Sequence, residues 1–236
     1  MKRFNFKDQI VFENENYIAI NKPAGVSSLH ERLGVANSVI EQAKNYNEHL
    51  QLCHRLDKET SGVLLLSKHA AAYSHAAVSF EKRRVTKTYH AVADGAHKFE
   101  HFEVNLPLIT TRSGRSAVSK QKGKPSTTFF TTIQNFKHHS LIACEPVTGR
   151  QHQIRIHLAS QNAPISADGI YGGKMPYLSR FKKNFTTNKT EEETPMINRF
   201  ALHAYSLSLN DIDGTALEIV AEYPKDLAVF IKQLRK

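Results

Sequence analysis

Two stretches concentrate the residue types that do nucleophilic or acid–base chemistry. Leu50 to Lys68 reads LQLCHRLDKETSGVLLLSK, and Thr148 to Ser160 reads TGRQHQIRIHLAS. The first gathers His54, Arg55, Asp57, Lys58 and Glu59 directly before an aliphatic run that must be buried. A solvated loop explains that grouping. So does a site in which a carboxylate works beside an arginine that holds a polyanion. The second stretch crowds Arg150, His152 and Arg155 into the first turns of an expected helix, where the macrodipole disfavours cations. Something acidic should compensate, and a buried Asp57 facing Arg155 would stay ionised and oriented. Such a carboxylate can be a nucleophile or a base. The same pairing is equally compatible with a structural ion pair that closes a core.

The surrounding pattern shows what must position these groups. YIAIN, Tyr17 to Asn21, reads as a short strand that stops at Lys22-Pro23-Ala24-Gly25. GVLLLS, Gly62 to Ser67, is a continuous apolar run of strand length, expected to be buried on both faces. HAAAYSHAAVSFEK places Tyr73, Ala77 and Phe80 at helical spacing, with Lys82, Arg83 and Arg84 after its end. Thr86 to Asp94 alternates, with Lys87, Tyr89, Ala91 and Ala93 on one face and a turn at Asp94-Gly95. Thr127 to Gln134 and Ser140 to Glu145 read as strands. A helix is expected from about Gln151 to Ser160, with Thr148 and Gln151 as its capping box. LHAYSLSL and LEIVAEY follow as strands, and Pro224 opens a closing helix with Leu227, Phe230, Ile231 and Leu234 inward. Strands and helices are interspersed without a βαβ rhythm, so the expected class is α+β in a single domain over residues 1–236. Two segments read as surface excursions: the basic stretch at about 111–124 and an insertion at about 174–198.

Composition narrows the partner. Lys and Arg total 32 against 22 acids, for a formal net charge of +10 and a pI near 9.6. That excess suits a nucleic acid or an anionic surface, beside the plainer reading of solubility. No run is long enough to span a membrane, and MKRFNFKDQI lacks the apolar core of a signal peptide. Cys53 and Cys144 form no CxxC pair and read as reduced structural thiols of a cytoplasmic protein. His152 and His157 stand five apart, not four, so they make no helical metal pair. Walker, GxGxxG and GxSxG motifs are absent, so neither a cofactor nor a metal is expected.

HRLDKETSG resembles the HRLD-x-x-T-S-G signature of the RluA family of RNA pseudouridine synthases. Further matches follow in the family's order: NKPAG at 21–25, KTYHAVADG at 87–95, GRQHQIRIHLA at 149–159, DGIYGG at 168–173 and ALHA at 201–204. The resemblance runs roughly from Ile10 to Leu227. After NKPAG, the segment VSSLHERLG departs from the usual continuation, and the chain resembles the short members that lack an S4-type module.

The resemblance implies an α+β catalytic domain with a bent, largely antiparallel mixed sheet and a cleft across it. It implies conversion of uridine in RNA to its C-glycoside without cofactor or metal. It places the catalytic aspartate at Asp57, the active-site tyrosine at Tyr89 and the arginine that pairs with the aspartate at Arg155. Arg55 becomes the residue that enters the space left by the flipped base, with Arg150, His152 and Ile154 as further substrate contacts. Attack at C1′, attack at C6 and assisted elimination all remain open for Asp57. The implied substrate is ribosomal RNA, with a lean to the large subunit, and/or transfer RNA. The expected protein is monomeric, with no obligatory protein partner and no membrane contact. The alternatives are a catalytically silent RNA-binding module of the same fold and a nucleoside hydrolase that releases free uracil.

Overall fold

The computed structural model describes residues 4–30, 38–111, 114–181 and 192–235. The elements follow in chain order. The first are β1 (Ile10–Glu13), β2 (Tyr17–Lys22), α1 (Val39–Tyr46), β3 (Gln51–Leu52), β4 (Ser61–Ser67), α2 (Ala70–Glu81) and β5 (Thr86–Asp94). Next come β6 (Phe102–Asn105), β7 (Leu108–Thr110), β8 (Ser116–Val118), β9 (Thr127–Asn135), β10 (His139–Pro146) and α3 (Gln153–Ser160). The last are β11 (Leu202–Asn210), β12 (Ala216–Val220) and α4 (Lys225–Leu234). They gather into two compact units, Met1–Tyr89 with His203–Tyr223, and His90–Leu202 with Pro224–Lys236. The sheet pairing is mixed and largely antiparallel, as expected for the α+β class.

In the first unit the strand order is β1-β2-β4-β11, with β12 on β11 and β3 on β4. All seven residues of β4 are buried. The pleat sends Leu64 and Leu66 to one side, where they pack with Ile18, Ile20, Leu50 and Leu56. It sends Val63 and Leu65 to the other, against Tyr17, Ala19, Ala72 and Ala76. An unbroken apolar run is what a strand covered on both faces requires. Each of these side chains contributes about 2 kcal/mol through burial, as an upper estimate.

Helix α2 covers the second face, but turned relative to the expected stripe. Ala72, Ala76 and Ser79 are its buried residues, while Tyr73 is 40 % exposed. Small side chains let the helix lie close to the sheet, and the Tyr17 hydroxyl donates to the Ala72 carbonyl across that contact. Helix α1, which hydrophobic spacing alone did not mark, is capped by Ser38, whose hydroxyl accepts from the Glu41 N–H.

β4 and β11 run parallel, with Ser61 opposite His203 and Gly62 opposite Ala204. His203 is fully buried, its Nδ1 2.9 Å from the Ser61 hydroxyl and its Nε2 2.9 Å from the Ala221 carbonyl. The carbonyl can only accept, so Nε2 carries the proton and Ser61 donates to Nδ1. This contact joins the TSG and ALHA motifs physically.

In the second unit β10 pairs with β9 and β9 with β6, all antiparallel. The stretch expected as a basic surface excursion contains β8, which pairs with β7 just before it as a small hairpin, in register from Leu108–Val118 to Thr110–Ser116. Its strands are only three residues long, too short for alternation to mark them. Part of the notional insertion, residues 182–191, lies outside the described residues, as does Arg112. α3 begins at Gln153, not Gln151, because His152 adopts a left-handed conformation (φ 55°, ψ 20°). The expected Thr148–Gln151 capping box does not form. The Thr148 hydroxyl donates instead to Gln153 Oε1, which also accepts the Arg150 N–H. α4 follows Pro224 and buries Leu227, Phe230 and Ile231.

Gly62 has φ +116°, and a Cβ there would stand 2.1 Å from the Ala204 carbonyl oxygen. Gly214 has φ +88° but nothing within 4 Å of its notional Cβ. Gly62→Ala is therefore expected to cost about 3 kcal/mol, from backbone collision plus strain. Gly214→Ala should cost only about 1 kcal/mol, from strain alone. Urea unfolding of the two variants side by side checks the difference; equal losses would refute the close-approach explanation.

Candidate active site

The HRLD loop lies between β3 and β4, and four contacts hold it. Leu56 points into the core, and its N–H and carbonyl both bond the Ser28 hydroxyl, at 3.1 and 2.9 Å. Ser28 belongs to the segment that departs from the family's usual continuation, and no residue pattern had marked it. The Leu65 N–H donates to His54 Nε2 at 3.1 Å, tying the loop's start to β4. The Thr60 N–H closes a turn on the Asp57 carbonyl at 3.0 Å. Finally, the Lys22 ammonium reaches the loop from the end of β2.

Lys22 is 0 % exposed. Its Nζ donates to the carbonyls of Pro23, Val26 and Lys58 at 3.0, 2.9 and 3.0 Å. A buried ammonium is costly unless its donors are satisfied, and three carbonyl oxygens provide that. The consequence is geometric: the turn after NKPAG and the residue following Asp57 share one cation. Gly25 N–H also donates to the Lys58 carbonyl, at 2.9 Å.

With the loop pinned, Arg55 is exposed, Leu56 buried and Asp57 half-buried. Tyr89, on β5, packs against the cluster that contains Leu56, Leu64 and Phe6. Burial first, and then the negative charge of Asp57, push the Tyr89 hydroxyl well above its ordinary pKa. The phenol therefore stays protonated at neutral pH and can donate a hydrogen bond within the field of Asp57. The structure thus brings together two of the residues singled out from sequence.

Lys87, two residues earlier on β5, is held down to about 8 by burial. It also acts on His54, whose pKa falls to about 3 from the usual 6.5, through burial first and the Lys87 charge second. The neutral imidazole is what lets Nε2 accept from Leu65. Cys53 is a structural thiol, pushed up to about 12 by burial, which leaves it unreactive as a nucleophile.

Arg155 belongs to the second unit, on α3, and is 4 % exposed. Its Nε and Nη2 donate to Asp168 Oδ2 and Oδ1 at 2.7 and 2.8 Å, a bidentate pair. The guanidinium lies 4.2 Å from the centre of the Phe200 ring and 4.9 Å from that of Tyr171. Asp168 is therefore an acid that compensates this cation at the helix start, and it was missed as such. The signal was present in DGIYGG, but nothing in its spacing assigns the aspartate to Arg155. The motif's last glycine explains the turn: a Cβ at Gly173 would stand 1.8 Å from the Ile165 carbonyl oxygen. Of the other expected contacts, Ile154 is buried, Arg150 is exposed with Nε 3.4 Å from the Pro125 carbonyl, and His152 bonds the Tyr171 hydroxyl. Among the described residues no cluster of three or more His, Cys, Asp or Glu suits a metal ion, and no helix is long and apolar enough to cross a membrane.

Two outcomes follow. Folded His54 is neutral while the unfolded chain binds a proton between about pH 6.5 and 3, so stability declines as pH falls through that window. His54→Gln keeps an acceptor for Leu65 and should make this decline shallower, as read by urea unfolding at stepped pH; an unchanged slope would contradict the assignment. Asp168→Leu removes the bidentate partner of a buried guanidinium and should cost about 3 kcal/mol or more. The same unfolding measurement checks it, and a loss under about 1 kcal/mol would mean other partners suffice.

A protein-family model described as RNA pseudouridylate synthase matches residues 16–160. Ribosomal large subunit pseudouridine synthase C of Vibrio vulnificus is 34 % identical over 233 residues, covering 97 % of this chain and 70 % of its own length. Ribosomal large subunit pseudouridine synthase D of Borreliella burgdorferi is 30 % identical, covering 98 % of this chain and 70 % of its own. The synthase C of Buchnera aphidicola is 33 % identical over 210 residues, and the chain spans 62 % of that relative's length. Among solved structures, human RNA pseudouridylate synthase domain containing 4 superposes with a TM-score of 0.76 at 25 % identity, over 98 % of this chain and 94 % of that one. A pinned aspartate loop, a protonated tyrosine in its field and the matches across both units agree: this chain belongs to the RluA family of RNA pseudouridine synthases.

Proposed function

We propose that the protein isomerises uridine within structured RNA, with Asp57 as the catalytic carboxylate. The observation that carries the proposal is the immobilised Asp57 loop with the protonated Tyr89 hydroxyl in its field. Detaching uracil from C1′, rotating it and rejoining it through C5 moves atoms within one nucleotide. It needs no electron acceptor and no second substrate, only a group that holds the intermediate and a path for one proton. Asp57 supplies the first by attack or by assisting elimination. Tyr89 offers a ring for stacking on the base and a hydroxyl for proton handling. Arg155 is the arginine assigned to orient the carboxylate.

A base inside folded RNA must leave its stack, at a cost of a few kcal/mol. Exposed Arg55, next to the buried Leu56, is assigned the vacated space. Arg115, Lys120, Lys122 and Lys124, all exposed on and after the β7–β8 hairpin, are assigned the phosphate backbone. Three of the relatives above are named for the ribosomal large subunit. That supports large-subunit ribosomal RNA as the first substrate to try, and transfer RNA the second, for a monomer acting in the cytoplasm.

The test uses ribosomal and transfer RNA transcripts tritiated at uridine C5. Wild type should release tritium to water and leave pseudouridine. Asp57→Asn should fall by at least about a thousandfold, since the nucleophile is lost. Its RNA affinity should stay within about threefold, because phosphate contacts dominate affinity. Lost RNA binding in a folded Asp57→Asn protein would defeat the assignment. Free uracil among the products would favour the hydrolase, and tight binding without release by wild type would favour the silent binding module.

A further inference from the structure

The DGIYGG turn carries a side chain that the proposed chemistry leaves unused. Tyr171 touches three parts of the second unit at once. Its ring lies against the Arg155 guanidinium, which Phe200 also contacts. Its hydroxyl stands 2.8 Å from His152 Nδ1, at the start of α3. The same hydroxyl accepts the Ser116 N–H and reaches the Ser116 carbonyl, both at 3.2 Å, on strand β8.

We infer that Tyr171 is a positioning residue that fixes Arg155 with its ring and the basic β7–β8 hairpin with its hydroxyl. The inference rests on the proposed role of Arg155 for its kinetic half. The hairpin half stands on geometry alone.

Two features make the phenol specific. The Ser116 side-chain hydroxyl is buried with no partner, so β8 is held at this point through its backbone, and Tyr171 meets both backbone groups. His152 holds a left-handed backbone, uncommon for a non-glycine residue, and its imidazole is bonded to the same hydroxyl. Gln151, next in line, donates to the Gly114 carbonyl at 2.8 Å and is a second tie to the hairpin. The hairpin and the guanidinium thus meet at one side chain. Arg115, Lys120, Lys122 and Lys124 are the charges such a hairpin would bring to an RNA backbone. An arm that grips RNA would then be anchored to the side chain that places the arginine.

Tyr171→Phe keeps the ring and removes the hydroxyl; Tyr171→Leu removes both. Both would be compared with wild type and Asp57→Asn as full chains. Amide hydrogen exchange needs no activity. In the Phe variant, exchange across residues 114–118 should rise by about tenfold, a local loosening of one tie among several. RNA half-saturation should rise about fivefold with a shallower salt dependence, as fewer basic side chains engage. The saturating single-turnover rate should stay within about twofold, because the ring still holds Arg155. The Leu variant should add a fall of at least about tenfold in that saturating rate, the cost of a misplaced catalytic group. Unchanged exchange in the Phe variant, or equal losses of saturating rate in both variants, would overturn the inference. A wild type that makes no pseudouridine defeats the isomerase reading and the kinetic half with it; exchange and binding still decide the hairpin half.

Discussion

A strand covered on both faces cannot slide. Shifting β4 by one residue would exchange Leu64 and Leu66 with Val63 and Leu65 across the sheet and empty two packed clusters at once. Its parallel pairing with β11 adds a second constraint, since only glycine at position 62 admits the Ala204 backbone. The loop that enters β4 therefore ends at a fixed point. Everything argued for Asp57 depends on this, because a carboxylate four residues from an immobile strand start has little freedom left to lose. The remaining freedom is taken by Ser28 on Leu56, by His54 on Leu65 and by Lys22 on Lys58.

Both units solve the same electrostatic problem by different means. Lys22 is buried in the first unit and donates to three carbonyl oxygens, one of them on the residue that follows Asp57. Arg155 is buried in the second and matched by an ionised partner in bidentate geometry. Asp168 fixes direction, since a bidentate pair permits one orientation of the guanidinium plane. Removing Arg155 or Asp168 would leave a buried charge, and removing Lys22 would take a donor from three carbonyl oxygens, so neither arrangement tolerates simple truncation.

Much of this was legible in the residues. The continuous run at 62–67 meant a doubly covered strand, alternation at 86–94 meant β5, and Pro224 marked the start of α4. Asp57 and Tyr89 stood out through motif, and the Tyr89 hydroxyl does lie in the field of Asp57. What failed to show has physical reasons. The buried stripe of α2 is made of alanines and a serine, so of the positions read from spacing Tyr73 and Ala77 are exposed, while Phe80 does pack against the core cluster. The helix at α3 starts late because His152 takes a conformation that no cap rule anticipates for histidine. The β7–β8 hairpin, with strands of three residues, is too short for alternation to register. Asp168 is thirteen residues from Arg155, and such a pairing depends on how the chain returns, which periodicity does not encode.

The chemistry assigned to Asp57 asks for an anion that persists beside an acid that does not ionise. Two acidic groups in one field normally resolve this by one of them taking the proton, and which one is set by environment. Here burial and the Asp57 charge both act on Tyr89 in the same direction, keeping its proton in place. A phenol that holds its proton while its neighbour is charged can donate to a developing negative oxygen or return a proton to a base, without competing for the role of nucleophile. The proposed division of labour between the two residues thus rests on the first unit's packing: the apolar cluster against which Tyr89 packs is the same one that holds Leu56, next to Asp57.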